Sequence, residues 1–571
     1  MEQPEKKTKD VKYTMRHTFF RFLLTGAIVF AAVQGWACTN LLVTRGASSD
    51  GSTMITYSAD SYQLYGELYH YPAAEYPAGA MLDVYEWDVP GHLLGRIPQV
   101  RRTYNVLGNM NEKQVVIAET TFGGRPELCR PNGILDYGSL IYIALQRAAS
   151  ARQAIGIMTE LVAEYGYYSE GESFSIADKD EVWIMELIGK GEAEKGAVWV
   201  ARRVPDGYIC AHANQARITT FPLDDPQNCL YSPDVISFAR RMGYFSGADA
   251  DFDFSAAYCP LDFAQIRFCE ARVWSILRRA NRAIGPAYQA YALGDARAQR
   301  MPLWVRPDEK LSVRDAMELM RDHYEDTPMD IRGTLMAGPY DAPYGVRPLE
   351  WELDSAAYFC ERPVSTPQTA FSLVSQSRGW LPDEIGGVLW FGVDDTYFTC
   401  YTPLYASSTR VADCFAVGNG DFNTYSPTAA FWVFNRLSQQ AYAKYAYYAP
   451  EIRRVQAAQE DEYLRRLKDT DEKALVLYRR SPKKALRYLT DVSVASSRET
   501  VARWEELEAF LLVKYFDGVI HPEQDGKFLR SPYGGPGAVE TPGWSRSWRE
   551  KVVRDAPQRF KTPQEPEAHL E

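Results

Sequence analysis

The sequence predicts an α+β fold in which helices are layered on β-sheets. Strand-like apolar runs occupy residues 39–58, two amphipathic helical patterns follow between 140 and 165, and further strand-like runs lie between 173 and 212. Strands that precede and follow a pair of helices are typical of a sheet covered by helices. A hydrophobic content of 46% and a charged content of 24% suit a large globular core.

The first two strands are predicted to form a hairpin. Residues 39–44 and 52–58 are separated by Ser48-Ser49-Asp50-Gly51, and Asp-Gly is a strong hairpin turn signal. A turn centred near residue 50 brings Cys38 within a few residues of Asp60 on the opposite strand. The sequence therefore predicts a carboxylate beside Cys38.

The next elements are assigned from their periodicity. Helices are predicted over residues 140–148 and 155–165, with Gly166 as the C-terminal cap of the second. Four strands joined by turn-forming sequences are predicted to continue as an antiparallel meander that ends at Asn214: residues 173–177, 182–187, 198–204 and 208–212.

The remainder of the chain is predicted to be more helical. The expected elements are a helix over 262–283 with a basic outer face, a helix over 312–323 capped by Ser312, strands at 387–397 and 400–403, and helices over 429–512 broken at Pro450 and Pro482. Residues beyond 522 are rich in proline, glycine and charge, which predicts a loose tail.

Residues 1–37 have the anatomy of a secretory signal. A basic start precedes an apolar run at 22–33, and Gly35-Trp36-Ala37 supplies small residues at its outer positions. The apolar run is short for a bilayer span, so we expect cleavage before Cys38 and export to the periplasm or the extracellular space. An uncleaved anchor is the alternative. No later stretch predicts a stable membrane span.

Cleavage there makes Cys38 the first residue, with a thiol and a free α-amino group on one residue. Two other roles stay open, lipid attachment and an ordinary disulfide. Lipidation normally requires an aliphatic residue three positions before the cysteine, where this chain has Gly35. The other eight cysteines are an even number that an exported protein can pair.

Charge and composition exclude some partners. A net charge of −11 and a pI near 5.4 argue against nucleic acid as the main partner. No Cys-x-x-Cys spacing occurs and only seven histidines are present, so no metal site is predicted.

Several motifs occur in a fixed order along the chain. The first are Cys38-Thr39-Asn40-Leu41-Leu42-Val43, Asp50-Gly51-Ser52 and Ala59-Asp60-Ser61. They continue with Glu119-Thr120-Thr121-Phe122-Gly123-Gly124 and Ala213-Asn214-Gln215, and extend up to residue 435. Together they resemble, in the expected order, the dipeptidases of family C69, in the N-terminal-nucleophile hydrolase superfamily.

The resemblance implies a four-layer αββα sandwich with the nucleophile at the start of a central strand. It also implies hydrolysis of small peptides without a metal or other cofactor. The domains expected are a signal peptide at 1–37, a hydrolase domain with additional C-terminal helices at 38–520, and a loosely ordered tail at 521–571. A homo-oligomer is compatible with these features.

The resemblance also assigns roles in the site. Cys38 is the expected nucleophile and passes through a thioester, with its own α-amino group as base, and Asn214 is the expected oxyanion donor. Asp60 is expected as a site carboxylate, and Tyr57 and Thr121 as substrate contacts. Many relatives carry arginine at the position of Tyr57, so their substrate preference does not transfer to this chain.

Three neighbouring residues are predicted to be structural: Glu119 and Arg217 in the wall of the site, and His212 as a strand histidine.

Two other functions stay open. One is an acyl-amide hydrolase of the same superfamily, whose site should be apolar on the acyl side. The other is a surface lipoprotein that binds peptides without cleaving them. A dipeptidase needs a charged partner for the free substrate amine, and Asp60 is the expected one.

Overall fold

The computed structural model describes residues 38–129, 131–345 and 350–563, so the predicted signal segment lies outside the described residues. Its strands are β1 Asn40–Val43, β2 Met54–Asp60, β3 His70–Tyr71, β4 Ala74–Glu75, β5 Met81–Tyr85, β6 Leu93–Pro98, β7 Arg102–Thr103, β8 Val106–Leu107, β9 Met110–Asn111, β10 Val116–Gly123, β11 Asn132–Gly133, β12 Gly166–Tyr167, β13 Gly171–Ala177, β14 Val182–Gly189, β15 Ala197–Arg203, β16 Ile209–His212, β17 Cys229–Tyr231, β18 Trp304–Val305, β19 Glu350–Leu353, β20 Ala356–Phe359, β21 Thr369–Ser377, β22 Gly387–Val393, β23 Thr402–Tyr405, β24 Glu523–Gln524 and β25 Lys527–Phe528.

Its α-helices are α1 Tyr137–Arg147, α2 Ala151–Tyr165, α3 Val235–Arg241, α4 Phe254–Tyr258, α5 Ala271–Ala280, α6 Ile284–Ala292, α7 Val313–Met320, α8 Asp383–Gly386, α9 Ala430–Ala443, α10 Tyr445–Arg480, α11 Pro482–Tyr515 and α12 Arg546–Asp555. A π-helical segment, Gln265–Glu270, runs directly into α5, and short 3₁₀ turns lie at Arg45–Ala47, Asp249–Asp251 and Phe516–Gly518.

The first large sheet contains the predicted hairpin. Its seven strands run in the order β18-β16-β1-β2-β21-β22-β23, and all neighbours are antiparallel. Leu42 lies opposite Ile55, and a bridge between Thr39 and Ser58 extends the pairing. Cys38 therefore lies at the open end of the hairpin, next to Asp60, as the turn position predicts.

The second large sheet holds only part of the predicted meander. Its strand order is β17-β15-β14-β13-β10-β9-β8-β3, so β13, β14 and β15 are sequential neighbours as predicted. The fourth strand, β16, instead pairs with β1 in the first sheet. The prediction that β16 continues the meander is therefore wrong. The Gly46 N–H, which follows β1, donates to the Asp206 carboxylate at 2.6 Å, and this bond holds the turn before β16 beside the end of β1. This crossing delivers Asn214 to the end of the sheet that carries Cys38.

Helices pack on both sheets, which agrees with the predicted α+β class. Helices α1 and α2 contact β10, β13 and β14, while α7, α9, α10 and α11 contact strands of the first sheet. Strands β1 and β2 in turn contact β10, β13 and β14 of the second sheet. The predicted caps are confirmed, since the Ser312 side chain accepts from the Asp315 N–H and Gly166 ends α2 with φ = 79°.

One predicted helix break is wrong. Pro482 begins α11 as predicted, but Pro450 lies inside α10, and the break falls at Lys444 instead. Pro450 is the sixth residue of α10, so it removes the N–H that would bond the Ala446 carbonyl, and the helix continues without that one bond.

The segment after residue 520 contains the β24–β25 hairpin and α12, and α12 has no buried residue. The assignment of a separate tail stays a prediction.

All nine cysteines are free thiols. Within the described ranges, no helix has both the length and the apolarity that a membrane span requires.

A buried ion pair ties α7 to α10. Arg321 donates to both carboxylate oxygens of Glu460, at 2.5 and 3.2 Å, and both side chains are almost fully excluded from water. Glu460 also accepts the backbone N–H of Tyr401 at 3.0 Å. Removing the Glu460 carboxylate leaves the buried Arg321 with the more exposed Glu318, 2.8 Å away, as its charged partner.

We therefore expect Glu460→Gln to lower the free energy of unfolding by about 3 kcal/mol, measured by urea denaturation. The matched control is Glu499→Gln, which removes a carboxylate from the exposed Arg466–Glu499 pair between α10 and α11. That variant should change the same quantity by less than about 1 kcal/mol. Equal effects of the two substitutions would contradict the assigned importance of the buried pair.

Candidate functional site

Cys38 is completely buried at the open end of the β1–β2 hairpin. Its sulfur lies 3.6 Å from Glu119 Oε1 and 4.0 Å from the Tyr57 hydroxyl oxygen. Burial, followed by the negative charges of Glu119 and Asp60, raises the pKa of the thiol well above its usual value, although a hydrogen bond from the Asp60 backbone N–H opposes the shift. In this chain, where a peptide bond precedes Cys38, the thiol is therefore protonated at neutral pH.

The guanidinium group of Arg272 joins Cys38 to Asn214. Nη1 donates to the Cys38 carbonyl oxygen at 2.7 Å and to Thr39 Oγ1 at 2.8 Å. Nη2 donates to Asn214 Oδ1 at 2.8 Å and to the Ala213 carbonyl at 3.3 Å. The rigid planar fork of arginine thus fixes the two predicted site residues relative to each other.

Sequence reasoning missed Arg272, because the 262–283 segment was predicted to be basic on its outer face. Arg272 is instead 1% exposed, and Arg267 is buried as well. The available signal was the position of Arg272 inside the apolar stretch Ala271–Leu277. Arginine is rarely fully buried unless it is paired, so an arginine within an apolar helical run indicates a built polar site.

Asn214 follows β16 with a left-handed backbone, φ = 61°. Its Nδ2 donates to the Thr121 carbonyl at 2.7 Å, and its Oδ1 accepts from Arg272. A side-chain amide carries two N–H donors, and the Thr121 carbonyl engages one of them. The geometry brings Asn214 and Thr121 together beside Cys38, while their roles in catalysis stay predictions.

Asp60 is beside Cys38, as predicted, but its carboxylate is already engaged. Oδ2 accepts from Arg362 Nη2 at 2.6 Å, and Oδ1 accepts from Thr369 Oγ1 at 2.7 Å. The ion pair is buried, with the Arg362 side chain 4% exposed and that of Asp60 0%. Since Arg362 balances this charge, Asp60 does not fit the expected role of partner for a substrate amine.

Glu119 has more contact with the nucleophile than its prediction as a wall residue implies. The Tyr57 hydroxyl donates to Glu119 Oε1 at 2.6 Å, and Thr121 Oγ1 donates to Glu172 Oε1 at 2.8 Å. The carboxyl groups of Glu119 and Glu172 also hydrogen bond to each other. Burial raises the pKa of both, and the charge of Glu119 raises that of Glu172 further. Burial and mutual repulsion therefore oppose the ionisation of both carboxyl groups at once.

His212 and Arg217 are structural, as predicted. The two ring nitrogens of His212 form hydrogen bonds of 2.7 Å with the hydroxyl groups of Thr120 and Ser175. Burial, with the charge of Arg217, lowers the pKa of His212 to about 3. It is therefore neutral and fully engaged. Arg217 forms a buried ion pair with Glu270 at 2.9 Å.

Over the described ranges, no group of three or more His, Cys, Asp or Glu side chains is arranged to hold a metal ion. The residues that converge on Cys38 are a tyrosine, a pair of glutamates, an asparagine and two arginines paired through the backbone or through Asp60. Such a set offers a nucleophile, an amide donor and a pair of carboxyl groups.

Comparison with known proteins identifies similar chains. The family model described as peptidase family C69 matches residues 37–458. A probable dipeptidase of Salmonella dublin is 25% identical over 65% of this chain and 81% of the relative. A probable dipeptidase of Latilactobacillus sakei is 24% identical over 65% and 74%, and dipeptidase A of Lactobacillus helveticus is 24% identical over 71% and 81%.

Proposed function

The chain belongs to peptidase family C69 and is a peptidase of the dipeptidase type, and we propose that Cys38 is the nucleophile of an exported enzyme that hydrolyses dipeptides. The observation that carries this proposal is the Arg272 bridge from the Cys38 carbonyl to the Asn214 side chain. A buried arginine that fixes a cysteine beside an amide donor supports a reaction centre better than it supports a packing role.

Removal of residues 1–37 activates the site in this proposal. In the unprocessed chain the nitrogen of Cys38 is a peptide nitrogen and cannot accept a proton. Cleavage creates an α-amino group whose ordinary pKa is about 7.7–8.0, so part of it is a neutral base at physiological pH. The ammonium group that forms beside the sulfur stabilises the thiolate by its positive charge, which opposes the raised pKa of the thiol.

The reaction then follows from the groups around the sulfur. The α-amine takes the thiol proton, and the sulfur attacks the peptide carbonyl to form a tetrahedral oxyanion. The second N–H of Asn214 donates to that oxyanion. The α-ammonium returns its proton to the leaving amine as the peptide C–N bond breaks. Water hydrolyses the resulting thioester by the same steps and regenerates the free thiol.

Two finer assignments support the same proposal. We assign the two facing sheets with helices on both to the four-layer αββα sandwich of N-terminal-nucleophile hydrolases, since the nucleophile begins β1 within a sheet. The acyl-amide hydrolase alternative requires an apolar acyl pocket, whereas the side chains beside the sulfur are Glu119 and Tyr57, with Glu172 behind them. That polarity favours a peptide substrate.

Cys38→Ala should abolish dipeptide hydrolysis because it removes the sulfur that forms the thioester. A panel of dipeptides with a metal chelator present, followed by quantification of released amino acids, measures the effect. Cys400→Ala is the matched control, since Cys400 is also fully buried and its charged neighbours are those of the Arg321–Glu460 pair. Undiminished turnover by Cys38→Ala would end the proposal.

The mature protein should begin with an unmodified Cys38. Intact-mass and N-terminal peptide analysis of protein recovered from the exported fraction checks this directly. A diacylated Cys38 would instead support the surface-lipoprotein alternative, because an acylated or blocked nitrogen cannot act as the base. Retention of residues 1–37 on active enzyme would also contradict the proposed activation.

Asn214→Gly should lower kcat by roughly 10²–10³-fold, because one oxyanion donor is lost. Glycine suits this test better than alanine, since it keeps the left-handed backbone of Asn214 without steric strain. Steady-state kinetics on the preferred dipeptide measures kcat. Asn228→Gly, in a turn where the side chain donates to the Asp225 carboxylate, is the control and should leave kcat unchanged.

A further inference from the structure

The Glu119–Glu172 pair is the one feature beside Cys38 that the reaction steps above do not use. Both side chains are buried, at 0% and 1% exposure. Within the described part of the chain, Oε2 of each carboxyl receives no hydrogen bond from an N–H or hydroxyl donor, and neither glutamate forms an ion pair with Lys or Arg. Buried carboxyl groups without a cation are costly to ionise, so this pair suits a ligand that brings a positive charge to it.

We propose that the Glu119–Glu172 carboxyl pair binds the α-ammonium group of the dipeptide substrate. The inference rests on the proposed dipeptidase function and adds the recognition of the free amino terminus. It also moves this role from Asp60, which the sequence favours, to Glu119, which was predicted to form only a wall, and to Glu172, for which no role was predicted.

The balance of charge around the sulfur supports this assignment. Arg362 neutralises Asp60 through a 2.6 Å contact, so that carboxylate is not available to a ligand. Tyr57 donates a neutral hydroxyl to Glu119 and leaves the charge of that carboxylate in place. A substrate ammonium group that reached the pair would therefore supply the positive charge that favours its ionised form.

Distances within a dipeptide place its ammonium group within reach of this pair. Standard bond lengths and angles put the α-nitrogen about 2.5 Å from the carbonyl carbon that is attacked. That carbon must approach the sulfur to about 3–3.5 Å before reaction. The ammonium group then lies within about 6 Å of the sulfur, and Glu119 Oε1 is 3.6 Å from the sulfur.

Two polar contacts hold the pair ready for such a ligand. The Tyr57 hydroxyl and Thr121 Oγ1 each donate to one carboxyl oxygen, at 2.6 and 2.8 Å, so both groups have a fixed orientation. An ammonium group offers three donors to the remaining oxygens. An N-acylated substrate offers one amide N–H and no charge, and it would leave the buried carboxylate without a cation.

The experiment compares a dipeptide that the enzyme cleaves with the N-acetyl derivative of the same dipeptide. kcat/KM is measured for both on processed enzyme, in the unsubstituted protein and in Glu119→Gln and Glu172→Gln. Glutamine keeps the size of the side chain and removes its charge. The second variant keeps the test open if the first fails to fold, and thermal denaturation reports folding.

We expect the unsubstituted enzyme to prefer the free amine. Each glutamine variant should lower kcat/KM for the dipeptide by roughly 10- to 150-fold, the range for a hydrogen bond to a charged group, and change that for the N-acetyl derivative by less than about threefold. Glu170→Gln is the control, because it removes the same charge from an exposed residue two positions before Glu172, and it should change neither value.

Equal losses of kcat/KM for both substrates in the glutamine variants, or no loss for either, would overturn the inference. Dipeptide hydrolysis by the unsubstituted enzyme would still uphold the proposed function in that case. Absence of any dipeptide hydrolysis by processed, unsubstituted enzyme would overturn the proposed function, and the inference with it. Equal kcat/KM of the unsubstituted enzyme for the free and the acetylated substrate would also overturn the inference.

Discussion

The hydrogen bonds of the Arg272 guanidinium group are the interaction on which the site depends. They join the carbonyl of Cys38 at the start of β1 to the side chain of Asn214 after β16. These two residues are distant in sequence and become neighbours only because β16 leaves the second sheet and pairs with β1. Arg272 comes from α5, a third part of the chain, so helix, hairpin and crossing strand must all be in place before the site exists.

The charged groups of this buried region differ in how they are satisfied. Arg362 offsets Asp60, and Arg272 donates to carbonyl, hydroxyl and amide oxygens. Among the described residues, the Glu119–Glu172 pair has no ion pair with Lys or Arg, and burial raises the pKa of both carboxyl groups. In the proposed function, a cationic substrate group would stabilise the ionised form of this pair.

Local chemistry made part of this predictable from sequence. The Asp50-Gly51 turn fixes the hairpin register, and the register alone puts Asp60 beside Cys38. The fourth strand of the predicted meander could not be assigned, because strand-like periodicity does not say which sheet a strand joins. Arg272 and Glu119 were missed as site residues for a related reason: their contacts with Cys38 span 234 and 81 residues, and no local pattern encodes such pairs.

In the proposed mechanism, Tyr57 connects substrate recognition to the activation of the nucleophile. An arginine in its place would pair with Glu119, and the two glutamates would lose their attraction for an ammonium group. Tyrosine adds no positive charge, so both the proposed α-amino group of Cys38 and the substrate amine could approach the carboxyl pair. A substrate ammonium group on the pair would disfavour a second ammonium nearby and so lower the pKa of the Cys38 α-amine. The α-amine would then be neutral when a substrate carbonyl is present to be attacked, so recognition of a free amino terminus would also favour the base that the proposed reaction requires.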